Sequence, residues 1–219
     1  MLPKLGVNID HIATLRQLRG TPYPSLIEAA ELVQKAGAHQ ITVHLREDRR
    51  HIQDEDVRQL RAALRVPLNL EMACTDAMVK FATRTMPDWS CLVPEKRREI
   101  TTEGGLDIAK NRTRVGKTIE KLKKAGIRVS CFVEPSLQAV KLSRQLGADG
   151  VEFHTGSFCM AAQGAYGARS KVKFKSELER IRVASVAAKM AGLEVHAGHG
   201  FDYENVRPVV ALTDSGFKR

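Results

Sequence analysis

The chain has few aromatic residues and no closely spaced cysteine pair. Aromatic side chains make up 5% of its 219 residues, and only Phe174 lies within the basic segments 110–128 and 169–182, which argues against RNA recognition by base stacking. A C-x-x-C pair is missing, which argues against a structural zinc site or a disulfide framework. We therefore expect reduced, mostly buried thiols at the four cysteines, Cys74, Cys91, Cys131 and Cys159.

Long apolar runs are also missing. The sequence contains no stretch of about 18 uncharged apolar residues, and its first residues, MLPKLGVNID, lack the apolar core of a signal peptide. With 43% hydrophobic and 27% charged residues, the composition is typical of a folded globular protein. We expect a cytoplasmic protein without a membrane partner, folded as a single domain over residues 1–219.

Positive charge is in excess. A formal net charge of +10 indicates affinity for anions, and nucleic acid, acidic membranes and phosphorylated small molecules are all candidates. Charge alone does not choose among them, because the two basic segments are also typical of the solvated faces of helices.

A repeating pattern organises the chain. Four times, a helical segment ends in glycine and is followed by a short apolar run, as in KAGAHQITVHL and LGADGVEFHTG. Glycine readily adopts the left-handed conformation that ends a helix. The pattern therefore predicts helix-to-strand junctions at Gly37, Gly126, Gly147 and Gly192.

Strands and helices are predicted to alternate along the whole chain. The predicted strands are 5–10, 39–45, 67–73, 89–94, 127–134, 150–155 and 194–198. The predicted helices are 25–36, 54–65, 75–86, 110–125, 136–146, 175–191 and 203–211. This alternation fits a doubly wound sheet or a closed barrel. The GVNIDH segment after the first strand lacks the G-x-G-x-x-G fingerprint of dinucleotide-binding sheets, which favours an α/β fold of the TIM-type (β/α)8 barrel.

Ionisable residues cluster at the carboxyl ends of the predicted strands, where barrel enzymes assemble their sites. Glu71 and Glu152 lie in apolar, strand-like sequence, and burying a carboxylate is costly unless it is paired or protonated. A structural salt bridge would explain either one alone. Together with His44 and His199, also at strand ends, they favour general acid–base chemistry. The H-x-x-H spacing at 196–199 could instead hold a metal, but the companion ligands of known zinc sites are not evident.

Two loops are candidates for substrate binding. The segment His44 to His51 carries three arginines and two acidic residues, so it fits either a phosphate site or a self-paired, solvated loop. The segment Thr101 to Gly105, TTEGG, has the composition of a mobile loop over a barrel mouth.

Six blocks of the sequence form long motifs: GVNIDHIATLRQLRG, ITVHLREDRRHIQDEDV, PLNLEMA, CLVPEKRREITTEGGLD, VEFHTG and HAGHG. In their order and spacing, these blocks resemble the pyridoxine 5′-phosphate synthase family of vitamin B6 biosynthesis. The resemblance implies a barrel enzyme that condenses 3-amino-2-oxopropyl phosphate with 1-deoxy-D-xylulose 5-phosphate, releasing inorganic phosphate and water. It further implies no metal and no organic cofactor, no nucleic-acid partner, and assembly into a homo-oligomer.

Residue roles also follow from the resemblance. His44 and Glu71 match the family's proton acceptors, His199 matches its proton donor, and Glu152 matches a residue that stabilises the transition state. Positions that bind the deoxyxylulose phosphate match Asp10, His11, Arg46, His51 and Thr101. Positions that bind the amino ketone phosphate match Asn8, Arg19 and Gly200.

The last residues depart from the family pattern. The segment LTDSGFKR at 212–219 does not resemble the family's eighth strand and final helix, so we expect the barrel to be incomplete or divergent after about residue 211. Three alternatives therefore stay open: an inactive truncated family member, a basic polyanion-binding protein, and another phosphate-binding barrel such as an aldolase. A Schiff-base aldolase needs a lysine at a strand end, and no predicted strand offers one.

Overall fold

The structure, a computed structural model, describes residues 3–95 and 104–214, with side chains to residue 212. It divides into two compact units. The N-terminal unit comprises Lys4–Thr101 and Thr113–Val129. The C-terminal unit comprises Thr102–Arg112 and Ser130–Arg219, together with Met1–Pro3. Each predicted site residue that the structure describes can therefore be assigned to one of the two units.

The N-terminal unit is a parallel sheet whose strands are joined by helices. Strands β1 to β4 pair in chain order, and they are Gly6–Asn8, Gln40–His44, Leu68–Met72 and Trp89–Leu92. Helices α1 to α5 are Asp10–Arg19, Leu26–Lys35, Asp54–Ala63, Asp76–Thr85 and Arg112–Lys124. Residues on both faces of β3 are buried, as expected for a parallel strand covered on each side.

The C-terminal unit continues the same alternation. Strands β5 to β7 are Arg128–Val133, Gly150–His154 and Glu194–Gly198, with the first two residues of β5 belonging to the other unit, and they also pair in parallel and in order. Helices α6 to α9 are Leu137–Gln145, Gly156–Ala162, Ser170–Met190 and Val206–Asp214, and a short 3-10 helix spans Gly167–Arg169. The described residues thus contain seven strands.

Local signals explain most of the element boundaries. The side chains of Ser25, Thr75 and Ser136 cap the first turns of α2, α4 and α6 by accepting backbone N–H bonds. Past the helix ends, the four repeat glycines all have positive φ, between 75° and 98°. The predicted helix-to-strand junctions are therefore confirmed.

All seven predicted strands are present, each within two residues of its predicted bounds. Two helices were not predicted: α1, which follows β1 at once, and α7. The residue before α1, Ile9, has no polar side chain to cap the helix. Helix α7 is short and begins with glycine, and the Thr155 side chain before it makes no capping hydrogen bond, so neither helix has a strong start signal. Helix α8 also begins earlier than predicted, at Ser170 and not near residue 175.

The thiols agree with expectation. All four cysteines are reduced thiols, and all except Cys74 are buried. Within residues 3–95 and 104–214, no helix combines the length and apolar character needed to cross a membrane.

Candidate active site

The carboxyl end of β1 is tied to that of β2 through Asp10. The Asn8 side-chain amide donates to Asp10 Oδ2 at 3.0 Å, and the Asp10 backbone N–H donates to Asn8 Oδ1 at 2.8 Å. The backbone N–H of His44 then donates to Asp10 Oδ1 at 2.8 Å. Because Asp10 is buried, these hydrogen bonds also compensate for the removal of its carboxylate from water.

His44 and Glu71 lie side by side at the ends of adjacent strands. They are direct register partners in the β2–β3 ladder, and Nδ1 of His44 lies 3.8 Å from Oε2 of Glu71. On the other side of the ring, Nε2 lies 4.0 Å from Oε2 of Glu95. His44 and Glu71 are 5% and 4% exposed, and burial raises the pKa of the Glu95 carboxyl. An imidazole between two buried carboxylates is suited to accepting and returning protons.

Arg46 is buried, in contrast to the rest of its loop. Its side chain is 2% exposed, with Nε 3.4 Å from Asp48 and 3.9 Å from Glu95. Arg50 pairs with Asp48 at 2.6 Å, and this hydrogen bond is the main cause of the lowered pKa of Asp48, about 2. The loop is therefore partly self-paired, as one alternative predicted, but Arg46 is turned inward.

His51 is held as a neutral hydrogen-bond donor. Its Nδ1 accepts the backbone N–H of Ile52 at 2.8 Å. The pKa of His51 is lowered to about 4, mainly because the ring is buried and secondly because the positive charge of Arg46 is nearby. At neutral pH the ring is therefore uncharged with its proton on Nε2, which suits it to donate a hydrogen bond to a phosphate or hydroxyl oxygen.

A bidentate salt bridge between helices α1 and α3 contacts the end of the loop that contains Arg46 and His51. Arg16 on α1 donates from Nη1 and Nη2 to the two carboxylate oxygens of Asp56 on α3, both at 2.7 Å, and from Nη2 to the backbone carbonyl of His51 at 3.4 Å. Asp56 also accepts the backbone N–H of Gln53 at 2.8 Å. No local pattern predicts this pair, because its partners are 40 residues apart.

In the C-terminal unit, Glu152 faces His199. Oε1 of Glu152 lies 3.6 Å from Nδ1 of His199, and within the part of the chain that the structure describes this buried Nδ1 makes no hydrogen bond. A Cβ atom on Gly198 would lie 2.7 Å from the same carboxylate oxygen. Glycine at this position therefore makes room for the Glu152 carboxylate beside the histidine.

The backbone at His199 is strained and fixed in place. His199 has φ +74°, a left-handed conformation uncommon outside glycine, and Gly200 follows with φ +90°. The Thr155 hydroxyl oxygen lies 2.8 and 2.7 Å from the carbonyl oxygens of Gly198 and His199, and its single proton is shared between them. Strain of this kind persists only where its surroundings enforce it, and it is frequent at functional sites.

The structure thus brings most predicted site residues into two groups. The group in the N-terminal unit contains Asn8, Asp10, His44, Arg46, His51 and Glu71, and the group in the C-terminal unit contains Glu152, His199 and Gly200. His11 is exposed on α1, and its charge contributes to the lowered pKa of His51. Arg19 is exposed at the end of α1 with its guanidinium 5.6 Å from the Tyr23 ring centre. Thr101 lies outside the described residues.

One group of side chains could accommodate a metal ion. Asp10, His44 and Glu71 each offer one possible ligand atom, and these three atoms all lie within 4.8 Å of one another. Among the described residues, this is the group of histidine, cysteine and acidic side chains that meets this distance. The H-x-x-H segment does not form such a group there, and Nε2 of His196 instead lies 3.3 Å from Glu194.

Comparison with known proteins assigns the family. The family model described as pyridoxal phosphate biosynthesis protein PdxJ matches residues 5–215. The chain belongs to this family. It is 52% identical over 208 residues to the pyridoxine 5′-phosphate synthase of Syntrophotalea carbinolica, covering 95% of this chain and 84% of that protein. The pyridoxine 5′-phosphate synthase of Bdellovibrio bacteriovorus is also 52% identical, over 211 residues and with the same coverage. The chain is accordingly an enzyme of vitamin B6 biosynthesis.

Solved structures show the fold. The 3-keto-L-gulonate-6-phosphate decarboxylase of Vibrio cholerae matches with a TM-score of 0.62 at 14% identity, covering 94% of this chain and 83% of that one. The phosphoribosyl anthranilate isomerase of Thermus thermophilus matches with a TM-score of 0.54 at 16% identity, covering 85% and 78%. The prediction of a TIM-type α/β fold is confirmed.

Proposed function

We propose that this enzyme condenses 3-amino-2-oxopropyl phosphate with 1-deoxy-D-xylulose 5-phosphate to form pyridoxine 5′-phosphate, inorganic phosphate and water. Two relatives that are 52% identical in sequence to this chain are named for the synthesis of this product. The reaction joins two phosphorylated ketones through imine formation, dehydration and loss of phosphate. Each of these steps moves protons, so the enzyme must supply several acids and bases of moderate pKa.

The single observation that carries the proposal is the buried pair formed by His44 and Glu71. These two side chains are in register on neighbouring strands. If packing were their role, apolar residues would fill the two positions at a lower cost. The two side chains act as proton acceptors, His199 as the proton donor, and Glu152 as the group that stabilises developing positive charge. The 3.6 Å separation of Glu152 and His199 fits a contact that tightens when substrate binds.

The basic loop supplies the phosphate contacts. Buried Arg46 offers a planar fork of donors, and neutral His51 adds an Nε2–H donor. With Asp10, His11 and Thr101 they bind the deoxyxylulose phosphate, while Asn8, Arg19 and Gly200 bind the amino ketone phosphate. No metal or organic cofactor takes part in this scheme.

A homo-oligomer is the expected form of the protein. Large apolar side chains are exposed on neighbouring helices: Leu15 at 51% and Leu18 at 83% on α1, and Leu32 at 68% on α2. Contiguous exposed apolar residues are typical of surfaces that another subunit covers. The cytoplasmic location expected from the sequence stays a prediction.

The test is product formation from the two phosphates, followed by absorbance of the pyridine ring and by phosphate release. We expect Glu71→Gln to lower kcat about 10²–10⁴-fold, the usual contribution of general acid–base catalysis, with KM little changed. The amide keeps the shape of the side chain but cannot exchange a proton. A melting temperature measured on the same preparation separates this from a structural role. Normal kcat with a lowered melting temperature would refute the catalytic assignment, and a wild-type protein that binds polyanions but forms no product would refute the proposed function.

A further inference from the structure

A second carboxylate–histidine pair in the C-terminal unit has no role in the scheme above. Nδ1 of His154, the last residue of β6, lies 2.7 Å from Oε1 of Glu134, just past the end of β5. This contact is shorter than the corresponding distances in the His44–Glu71 and His199–Glu152 pairs, 3.8 and 3.6 Å. His154 and Glu134 therefore form the tightest of the three pairs at strand ends.

The position of His154 places it beside residues assigned to catalysis. Side chains alternate along a strand, so His154 points to the same face of β6 as Glu152. The rings of His154 and His199 have centres 6.2 Å apart, and Phe132 packs against both, at 5.5 and 4.4 Å. The His154 side chain keeps 16% of its surface exposed. Its ring is thus within reach of a small substrate that contacts His199.

The surroundings of Glu134 define the protonation of the pair. The hydrogen bond with His154 is the largest cause that lowers the pKa of Glu134, so its carboxylate is ionised at neutral pH. An ionised carboxylate only accepts hydrogen bonds, which puts a proton on Nδ1 of His154 and makes Nε2 the ring nitrogen that can exchange a proton with a substrate. Arg180, at 3.3 Å, and the backbone N–H of Gly105, also at 3.3 Å, hold the carboxylate in position.

Close packing also defines the position of the His154 ring. A Cβ atom on Gly156 would lie 2.7 Å from Nε2 of His154, so glycine at the start of α7 leaves room for this nitrogen. Gly156 is not among the glycines with positive φ. The backbone conformation at residue 156 therefore does not require glycine. A glycine at this position instead leaves space for the imidazole ring of His154.

From this geometry we propose that His154 is a further catalytic acid–base residue of the condensation, with Glu134 as its positioning residue. The inference rests on the proposed function. In a dehydration step, Nε2 of His154 takes a proton from a substrate carbon, and the released electron pair forms a carbon–carbon double bond. The neighbouring carbon–oxygen bond breaks, and its hydroxyl leaves as water after receiving a proton from His199. Glu134 stabilises the imidazolium formed, as carboxylates do in other catalytic pairs.

Steady-state kinetics of His154→Gln and Glu134→Gln test the proposal, with Arg182→Gln as the matched control. Arg182→Gln changes a charged residue of helix α8 whose partner is the exposed Glu179, and it leaves the His154–Glu134 pair in place. We expect His154→Gln to lower kcat by about 10²-fold or more and Glu134→Gln by about tenfold, both with KM within a factor of three. For Arg182→Gln we expect kcat close to wild type.

Gly156→Ala gives an independent readout if His154→Gln fails to fold. The added methyl group displaces the ring without removing it, and we expect kcat to fall while KM and the melting temperature are retained. Wild-type kcat in folded His154→Gln, or in Gly156→Ala, overturns the proposal, as does an equal loss in Glu134→Gln and Arg182→Gln. A wild-type protein that forms no product overturns the proposed function as well, whereas active wild type with indifferent variants overturns only this inference.

Discussion

Removing the charge of Asp56 probes how the phosphate-binding loop is held. In Asp56→Asn the side chain keeps its shape, but the Arg16 guanidinium loses its carboxylate partner. The side chains of Arg16 and Asp56 are 14% and 11% exposed. Their contribution to the free energy of unfolding therefore lies between that of a surface pair, about 0–1 kcal/mol, and the loss of about 3–5 kcal/mol when a fully buried pair is broken. We expect Asp56→Asn to lower the free energy of unfolding by about 2 kcal/mol. For a domain of this size, this corresponds to a drop of about 4–8 °C in melting temperature.

The assay is thermal unfolding together with binding of inorganic phosphate by calorimetry. Because Arg16 also donates to the carbonyl oxygen of His51, we expect Asp56→Asn to weaken phosphate binding as well as stability. Glu179→Gln is the matched control, since it breaks the exposed Arg182–Glu179 pair with no resolvable change in either measurement. If Asp56→Asn has the same melting temperature as the control, the Arg16–Asp56 pair contributes no more to stability than an exposed pair does, and the argument from its burial is wrong. If stability falls and phosphate binding does not, the pair stabilises the helices but does not position the loop.

Three further outcomes are expected. Arg46→Ala should weaken phosphate binding by calorimetry, and an unchanged affinity would show that the buried guanidinium faces away from the ligand. Gly198→Ala should lower kcat with little change in melting temperature, because its methyl group displaces the Glu152 carboxylate; Gly6→Ala, where a Cβ has ordinary contacts, is the control. The pKa of His51 is lowered from 6.5 to about 4 in the folded state, so unfolding binds a proton between these values and stability should fall as pH drops from about 6.5 to 4. His51→Gln should reduce that slope in a pH series of melting temperatures, and an unchanged slope would contradict the lowered pKa.

Much of the architecture was predictable from local sequence. Short apolar runs after helix-ending glycines identified four of the seven strands, and further apolar runs between these anchors identified the other three, because burial on both faces of a parallel sheet demands nearly continuous apolar sequence. The motif blocks identified the family, and Glu71 stood out because a carboxylate in an apolar strand needs a reason to be there. Helix α1 was missed because it follows β1 without a capping side chain, so its polar first turn read as the end of a strand.

Tertiary structure alone decided which polar groups meet. The pairs Arg16–Asp56 and Glu134–His154 join residues 40 and 20 positions apart, and no local pattern specifies which of many charged residues becomes a partner. The left-handed backbone of His199 is likewise not specified by its neighbours in sequence, and the Thr155 hydroxyl that contacts its carbonyl oxygen is 44 positions away. Periodicity and burial act along the chain and can be read from it, whereas ion pairs, proton-transfer geometry and backbone strain arise only when distant segments are packed together.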